Sequence, residues 1–200
     1  MKALHTALLA LVIPVGLEAQ QPPAAPPATA PANPVTTAFR GRIMALHRNL
    51  AQAFDSIPES KFSYKPTAAQ QTIGYIAQHL ATDNYLFCNQ FGSMKATIAA
   101  ADTETADSVK AKWPKDQLMT KLKASFAFCA SAFEQLNDAA LAEPATLQFG
   151  NNPPRQVSRA TMVLGHALDM ADHYSQIANY MRLNNMLPPT ALPRPRPPGN

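Results

Sequence analysis

Residues 158–185 read SRATMVLGHALDMADHYSQIANYMRLNN, and Pro188-Pro189 follow closely. Apolar side chains recur along this segment at the spacing of one face of an α-helix, which predicts a long amphipathic helix from about Ser158 to Asn185. Three polar side chains, His166, Asp169 and His173, fall on or beside that apolar face. Because polar groups at a core-facing position need a partner or a ligand, function is to be sought there.

Three earlier segments have the same helical spacing and none has sustained period-two alternation, so no strands are predicted. They run from about residue 37 to 56, from Pro66 to Gly92 with Thr67 as the expected N-cap, and from Pro114 to about 136. Four such helices bury their apolar faces most simply against one another, which predicts an all-α four-helix bundle. The two long connections, 93–113 and 138–157, are expected to cover an end of the bundle or to frame a pocket.

Both ends of the chain differ in composition from this predicted bundle, which spans residues 38–187. Residues 1–19 have the pattern of a signal peptide, in which Lys2 precedes an apolar run that is too short to span a bilayer, and Ala19 ends the segment. Proline-rich stretches at 20–37 and 188–200 are typical of a linker and a tail. We therefore expect a secreted or periplasmic protein with no stable membrane insertion after signal cleavage.

The net charge of +4 does not indicate a nucleic-acid partner. The basic residues are scattered along the chain without interleaved aromatic residues, whereas phosphate binding needs a localised basic surface.

A metal site is the sharpest functional hypothesis that the residues support. Asp169 and His173 lie one helical turn apart, about 6 Å along the axis, a spacing that two ligands of one ion can bridge. With His79 from the second predicted helix they would leave a coordination position open, as in catalytic metal sites. The alternatives are a hydrogen-bonded interior histidine at 79 and a simple Asp169–His173 pair. Asp83, Asp172 and Gln176 are candidate supporting groups; the alternative is that Asp172 and Gln176 are solvated, and for Asp172 we favour that alternative.

The two cysteines, Cys88 and Cys129, fall on the apolar faces of the second and third predicted helices. An even number of cysteines in an exported protein favours a disulfide. Buried free thiols, or a metal-binding or catalytic role, are the alternatives.

Several segments resemble proteins of the DinB-like family. Residues 58–66, PESKFSYKP, and 73–80, IGYIAQHL, are similar to the family's approach to its second helix and to the first metal-binding histidine on that helix. Residues 172–185, DHYSQIANYMRLNN, followed by Pro188-Pro189, resemble its terminal helix. The resemblance implies an up-down-down-up four-helix bundle, a divalent metal held by three histidines, and a possible homodimer.

The resemblance places the first ligand at His79, the last at His173 and the middle one at Asp169, where the family has histidine. A carboxylate can hold the same ions, and its presence is expected to shift preference from zinc or nickel towards iron or manganese. Two alternatives are that His166 replaces Asp169 as the ligand, or that the site has decayed.

Known activities in the family imply a metal-dependent hydrolase or a thiol-type transferase acting on an unidentified small molecule. No catalytic side chain is identified from the sequence. The alternatives are an exported module that binds a metal or a small molecule without turnover, and a purely structural bundle.

Overall fold

The computed structural model describes residues 32–193 of the chain. The predicted signal peptide, most of the predicted linker and the end of the predicted tail lie outside the described residues. Among residues 32–193, none of the helices combines the length and the apolar character that a membrane span requires.

Within residues 32–193 there are four long helices, with two short helices and a two-stranded hairpin in the connections between them. The α-helices are α1 (Pro34–Ser56), α2 (Ile73–Cys88), α3 (Ala100–Glu104), α4 (Asp107–Lys110), α5 (Lys115–Glu134) and α6 (Arg159–Leu183). The strands are β1 (Pro144–Leu147) and β2 (Arg155–Ser158), and 3-10 turns lie at Glu59–Lys61, Ala140–Ala142 and Pro189–Ala191.

The long helices form a bundle in which α1 and α2 each pack on both α5 and α6. Consecutive helices α1 and α2 therefore lie across the bundle from each other. Two clusters of buried side chains fill the interior. One includes Leu50, Phe54, Ile76, Leu80, Leu122, Met170 and Ile177; the other includes Ile43, Cys88, Phe91, Cys129, Phe133, Met162 and Val163. The predicted all-α four-helix bundle is confirmed.

Buried polar side chains from all four long helices also meet in the interior. Asn84 Nδ2 donates to Ser125 Oγ at 2.7 Å, and Asn84 Oδ1 lies 2.8 Å from His166 Nε2. His47 stacks on Phe126 with ring centroids 4.2 Å apart and meets the His166 ring edge-on at 5.3 Å. Because buried polar groups are costly unless paired, this layer favours one alignment of the helices.

The ends of α6 agree with prediction, whereas the start of α2 does not. Ser158 caps α6, since its hydroxyl accepts from the Thr161 amide at 3.3 Å. The predicted N-cap Thr67 is wrong: α2 begins six residues later, and Thr72 Oγ1 accepts from the Tyr75 amide at 3.1 Å. Thr67 instead belongs to a turn of its own, in which its carbonyl accepts from the amide of Gln70.

Other boundaries and elements also differ from the sequence-based expectation. Helix α1 begins at Pro34, inside the predicted linker, and the first residues of the predicted tail form the turn Pro189–Ala191, where Tyr174 Oη donates to Thr190 Oγ1 at 2.8 Å. Strands β1 and β2 pair antiparallel although no strand was predicted. Each strand has only four residues, so period-two alternation is too short to detect.

The connection between α2 and α5 packs tightly against the first turn of α2. A Cβ atom at Gly74 would lie 2.3 Å from the carbonyl oxygen of Ala111, so a side chain there would push the two segments apart. The amide of Gly74 also donates to the Phe62 carbonyl at 2.8 Å. Glycine thus permits the close approach that holds α4 beside α2.

Candidate metal centre

Helices α2 and α6 bring together the three predicted ligands. His79 comes from α2, and Asp169 and His173 come from successive turns of α6. One nitrogen or oxygen atom from each residue can be chosen so that all three lie within 4.8 Å of one another. The imidazole rings of His79 and His173 meet edge to face, with centroids 4.8 Å apart. All three side chains are partly buried, so solvent can still reach the cluster.

Asp169 is the most informative member of this cluster. Its Oδ1 atom lies 3.3 Å from His173 Nε2. Its Oδ2 atom is buried, and among the residues that the structure describes it has no hydrogen-bond partner. A buried carboxylate oxygen without a partner is costly, whereas a cation beside it would remove that cost. The donor set therefore fits a divalent ion on grounds that are independent of any resemblance.

Two neighbouring side chains orient the histidines. His173 Nδ1 lies 2.9 Å from Gln176 Oε1, which accepts a hydrogen bond from Nδ1, while Nε2 faces Asp169 Oδ1 at 3.3 Å. His79 Nε2 lies 3.3 Å from Asp83 Oδ2. Both supporting groups were expected from the sequence. The Tyr75 ring stacks on the His79 ring, with centroids 6.0 Å apart.

The charges of the cluster shift one another's pKa values. Burial, and then the negative charge of Asp169, raise the pKa of Asp83 to about 7. Burial, and then the charge of His173, lower the pKa of His79. Burial also disfavours charged His173, but its contact with Asp169 and the charge of that carboxylate raise its pKa overall. The cluster is thus a closely coupled group of two carboxylates and two imidazoles.

His166 does not replace Asp169, so that alternative is wrong. Its side chain is fully buried in the polar layer of the interior, with Nε2 2.8 Å from Asn84 Oδ1 and 3.9 Å from each sulfur of Cys88 and Cys129. The separation of seven residues from His173 places it two turns nearer the start of α6. It contributes to the core and is absent from the cluster around His79 and His173.

The two cysteines form a disulfide that joins α2 to α5, with Cα atoms 5.2 Å apart. Of the three possibilities left open by the sequence, the structure has the first. A cystine sulfur is not a thiolate, so the grouping of Cys88, Cys129 and His166 is not a candidate metal site.

Asp107 is a charged neighbour of the cluster that the sequence analysis did not single out. It lies on α4, and its negative charge adds to burial, the main cause, in raising the pKa values of Asp83 and Tyr75. No spacing pattern relates a residue of a long connection to a helix face. Its position became apparent only from the packing of α4 on α2.

A four-helix bundle with a histidine–carboxylate cluster between two of its helices defines a class of candidate metal-binding bundles. The chain belongs to the DinB superfamily, whose profile matches residues 42–177, more than half of the chain. Proteins of this family bind divalent metals. In this chain the cluster between α2 and α6 contains candidate ligands for a divalent ion. No curated protein matches the sequence at a significant level.

Solved structures share the fold at low sequence identity. A DinB-like protein from Bacillus cereus ATCC 10987 is 14% identical, with a TM-score of 0.59, and the match covers 76% of this chain and 95% of that one. A DinB-like protein from Bacillus subtilis is 16% identical, with a TM-score of 0.55 and coverage of 74% and 92%. The mycothiol-dependent maleylpyruvate isomerase is 13% identical, with a TM-score of 0.57. That match covers 71% of this chain but only 60% of the isomerase.

Proposed function

We propose that the protein binds one divalent metal ion through His79, Asp169 and His173 and is a metal-dependent hydrolase or thiol-type transferase. The observation that carries this proposal is the Oδ2 atom of Asp169, which is buried and has no hydrogen-bond partner among the described residues. Two imidazoles lie beside this carboxylate: His173 from the next turn of α6 and His79 from α2. Zinc, nickel, manganese and iron all suit two imidazoles and one carboxylate, and the carboxylate favours the last two.

The chain's own residues supply positioning and charge at this centre. Bound there, a divalent ion would act as a Lewis acid that lowers the pKa of a coordinating water or thiol. Gln176 fixes the ring of His173, and Asp169 contributes negative charge from the same helix. Asp83 Oδ2 lies 3.3 Å from His79 Nε2. We assign Asp83 as the carboxylate that would hold a proton beside the coordinating water or thiol.

The two reaction classes have different support. Similarity of fold to a mycothiol-dependent isomerase supports thiol chemistry, although identity is 13% and the chain spans 60% of that protein. Export supports hydrolysis, because low-molecular-weight thiols are mainly cytoplasmic. We propose a secreted or periplasmic location from the predicted signal peptide, and the Cys88–Cys129 disulfide supports an oxidising compartment.

A second candidate is an exported binding module that holds a metal or a small molecule without turnover. The presence of Asp169 where the resemblance implies histidine favours it, because the departure falls on a predicted ligand. A homodimer is a further proposal that follows from the resemblance, and light scattering of the purified protein tests it.

The test compares metal-dependent turnover in three proteins: wild type, His173→Ala and the matched control Asp172→Ala. Asp172 is the neighbouring residue on α6 and is exposed. Each protein is stripped with a chelator and reloaded with zinc, nickel, manganese or iron. It is then assayed with ester, amide and phosphate substrates, and with thiols plus electrophiles. We expect turnover that needs the metal, is lost in His173→Ala and persists in Asp172→Ala. Stoichiometric metal without turnover would favour the binding module.

A further inference from the structure

Besides the cluster at His79, residues 32–193 contain a second grouping of side chains with metal-binding atoms: Cys88, Cys129 and His166. One atom from each lies within 4.8 Å of the other two. His166 Nε2 is equally far, 3.9 Å, from the sulfur of Cys88 and from that of Cys129. The three residues come from α2, α5 and α6, so one ion there would join three of the four long helices.

The disulfide withholds both sulfurs from an ion, and its reduction makes them available. A dithiol that reduces the cystine becomes a disulfide itself, and two electrons and two protons pass to Cys88 and Cys129. Each thiol then loses its proton to solvent when it binds an ion, because the thiolate is the ligand. A divalent ion with two thiolates and a neutral imidazole has no net charge. That balance suits this place, because the side chains of all three residues are completely buried.

Two sulfurs and one imidazole nitrogen form a donor set that suits zinc. Zinc binds cysteine and histidine in tetrahedral sites, and its usual bond lengths place a nitrogen and a sulfur ligand about 3.6 Å apart. The observed separations of His166 Nε2 from the two sulfurs, 3.9 Å each, are close to that value. Rotation of the Cys88 and Cys129 side chains would have to separate the sulfurs to about 3.8 Å, the spacing of two sulfurs on one zinc ion.

Asn84 provides an oxygen atom beside this grouping. Its Nδ2 donates to Ser125 Oγ, so Oδ1 is the atom that faces His166 Nε2, at 2.8 Å. Because Oδ1 can only accept, Nε2 carries a proton while the disulfide is intact. An ion on Nε2 would move that proton to Nδ1, which has no hydrogen-bond partner among the described residues. Asn84 Oδ1 would then lose its donor and could coordinate the ion instead.

We propose that reduction of the Cys88–Cys129 disulfide creates a zinc site formed by both sulfurs and His166 Nε2, with Asn84 Oδ1 in the fourth position. The ion joins α6 to the two helices that the disulfide joins, and so stabilises the reduced fold. A peroxide expels it: the two thiolates give two electrons and form the disulfide, and the peroxide takes these electrons and two protons to become water. The site is independent of the proposed metal-dependent function.

The test compares oxidised and reduced protein in the His173→Ala background, where the candidate metal centre does not contribute. Because the disulfide is buried, one sample is reduced with a phosphine in urea and refolded without oxygen. The other is refolded from urea with its disulfide intact. After incubation with zinc and removal of excess, we expect close to one ion per reduced chain and none per oxidised chain. Circular dichroism monitors the helical fold, and added peroxide should release the zinc to a chromogenic chelator.

Two variants in wild type separate this site from nonspecific binding to thiols. His166→Phe keeps aromatic contacts with Phe91 and Phe133 but has no nitrogen, so zinc affinity of the reduced protein should fall at least about tenfold. The matched control, His47→Phe, removes a neighbouring buried histidine that is outside the grouping and should retain that affinity. Cobalt(II) is a second probe, because cobalt–thiolate bonds absorb in the near ultraviolet and the cluster at His79 has no thiolate.

The comparison of oxidised with reduced protein decides the proposal even where a variant does not refold. It is overturned if the reduced protein holds no more zinc than the oxidised protein, whether or not it refolds. It is also overturned if His166→Phe binds zinc as tightly as wild type when both are reduced. Should His166→Phe not refold, Cys88→Ala replaces it, and cobalt–thiolate absorption as strong as that of reduced wild type would contradict the site.

Discussion

Nδ1 of His173 lies 2.9 Å from Oε1 of Gln176, one turn further along α6. The amide oxygen can only accept, so Nδ1 carries a proton, and Nε2 is the nitrogen that faces Asp169 and the cluster. A histidine that is oriented in this way keeps its ring position when it coordinates an ion, which replaces the proton on Nε2. Gln176 is therefore central to the affinity of the proposed centre, although it is not itself a proposed ligand.

Removing this acceptor should weaken metal binding without unfolding the protein. We expect Gln176→Leu to lower metal affinity by about 10–100-fold, the usual effect of losing a hydrogen bond behind a ligating histidine. The control Gln176→Glu keeps an acceptor and should retain most of the affinity. Competition with a fluorescent chelator measures both. Equal affinity in Gln176→Leu and wild type would mean that Gln176 does not position the ligand.

The identity of the residue at position 169 should set metal preference. Asp169→His restores the all-histidine set of the resemblance, so we expect zinc to gain over manganese relative to wild type. Asp172→His adds a histidine at an exposed neighbouring position and should leave the preference unchanged. The ratio of zinc to manganese retained from an equimolar mixture is the measurement. An unchanged ratio in Asp169→His would remove Asp169 from the proposed ligands.

Stability should fall with acidification because of histidines in the polar layer. Burial lowers the pKa of His47 from 6.5 to about 3, and it lowers the pKa of His166 well below 6.5. Between pH 6.5 and pH 3 these histidines bind protons in the unfolded chain but not in the folded one. Their contribution to stability is therefore fully present above pH 6.5 and is lost progressively as the pH falls towards 3. Well below pH 6.5, each histidine should lower the free energy of unfolding by about 1 kcal/mol for each unit by which the pH falls.

Urea unfolding at pH 7, 6 and 5 measures this slope, with His47→Phe as the test variant. Phenylalanine keeps the aromatic contact with Phe126 but does not titrate. The slope of the free energy of unfolding against pH should be shallower in the variant, and the remaining slope combines His166 with the opposite contribution of Asp83, whose pKa is raised. A slope as steep as that of wild type would show that His47 is not buried in its neutral form.

The disulfide should contribute substantially to stability, because it joins residues 41 positions apart in sequence. Reduction of wild type should lower the free energy of unfolding by about 4 kcal/mol on the loop-entropy account. The double variant Cys88→Ala/Cys129→Ala should show a similar loss and no response to reductant. Guanidinium unfolding with and without a phosphine reductant tests this, and a wild-type protein indifferent to reductant would contradict it.

The sequence predicts features that depend on local spacing. Ser158 sits just before an apolar-periodic segment, and capping by its side chain starts α6 there. Asp169 and His173 share a helix face at any packing, because four residues make about one turn. Cys88 and Cys129 fall on inward faces, and their pairing follows once α2 and α5 are neighbours.

Features that depend on tertiary packing were not predictable in the same way. The approach of His79 to Asp169 requires α2 beside α6, which only the family resemblance could suggest. The hairpin of β1 and β2 is held by pairing between two four-residue segments, too short for a periodic signal.

The measurement that tests the central claim most directly is elemental analysis of the purified protein. Wild type, His173→Ala and Asp172→Ala are incubated with zinc, nickel, manganese and iron, and excess metal is removed. The account predicts close to one ion per chain in wild type and Asp172→Ala, and little or none in His173→Ala. Absence of retained metal in wild type, or equal metal in His173→Ala, would contradict a centre built from His79, Asp169 and His173.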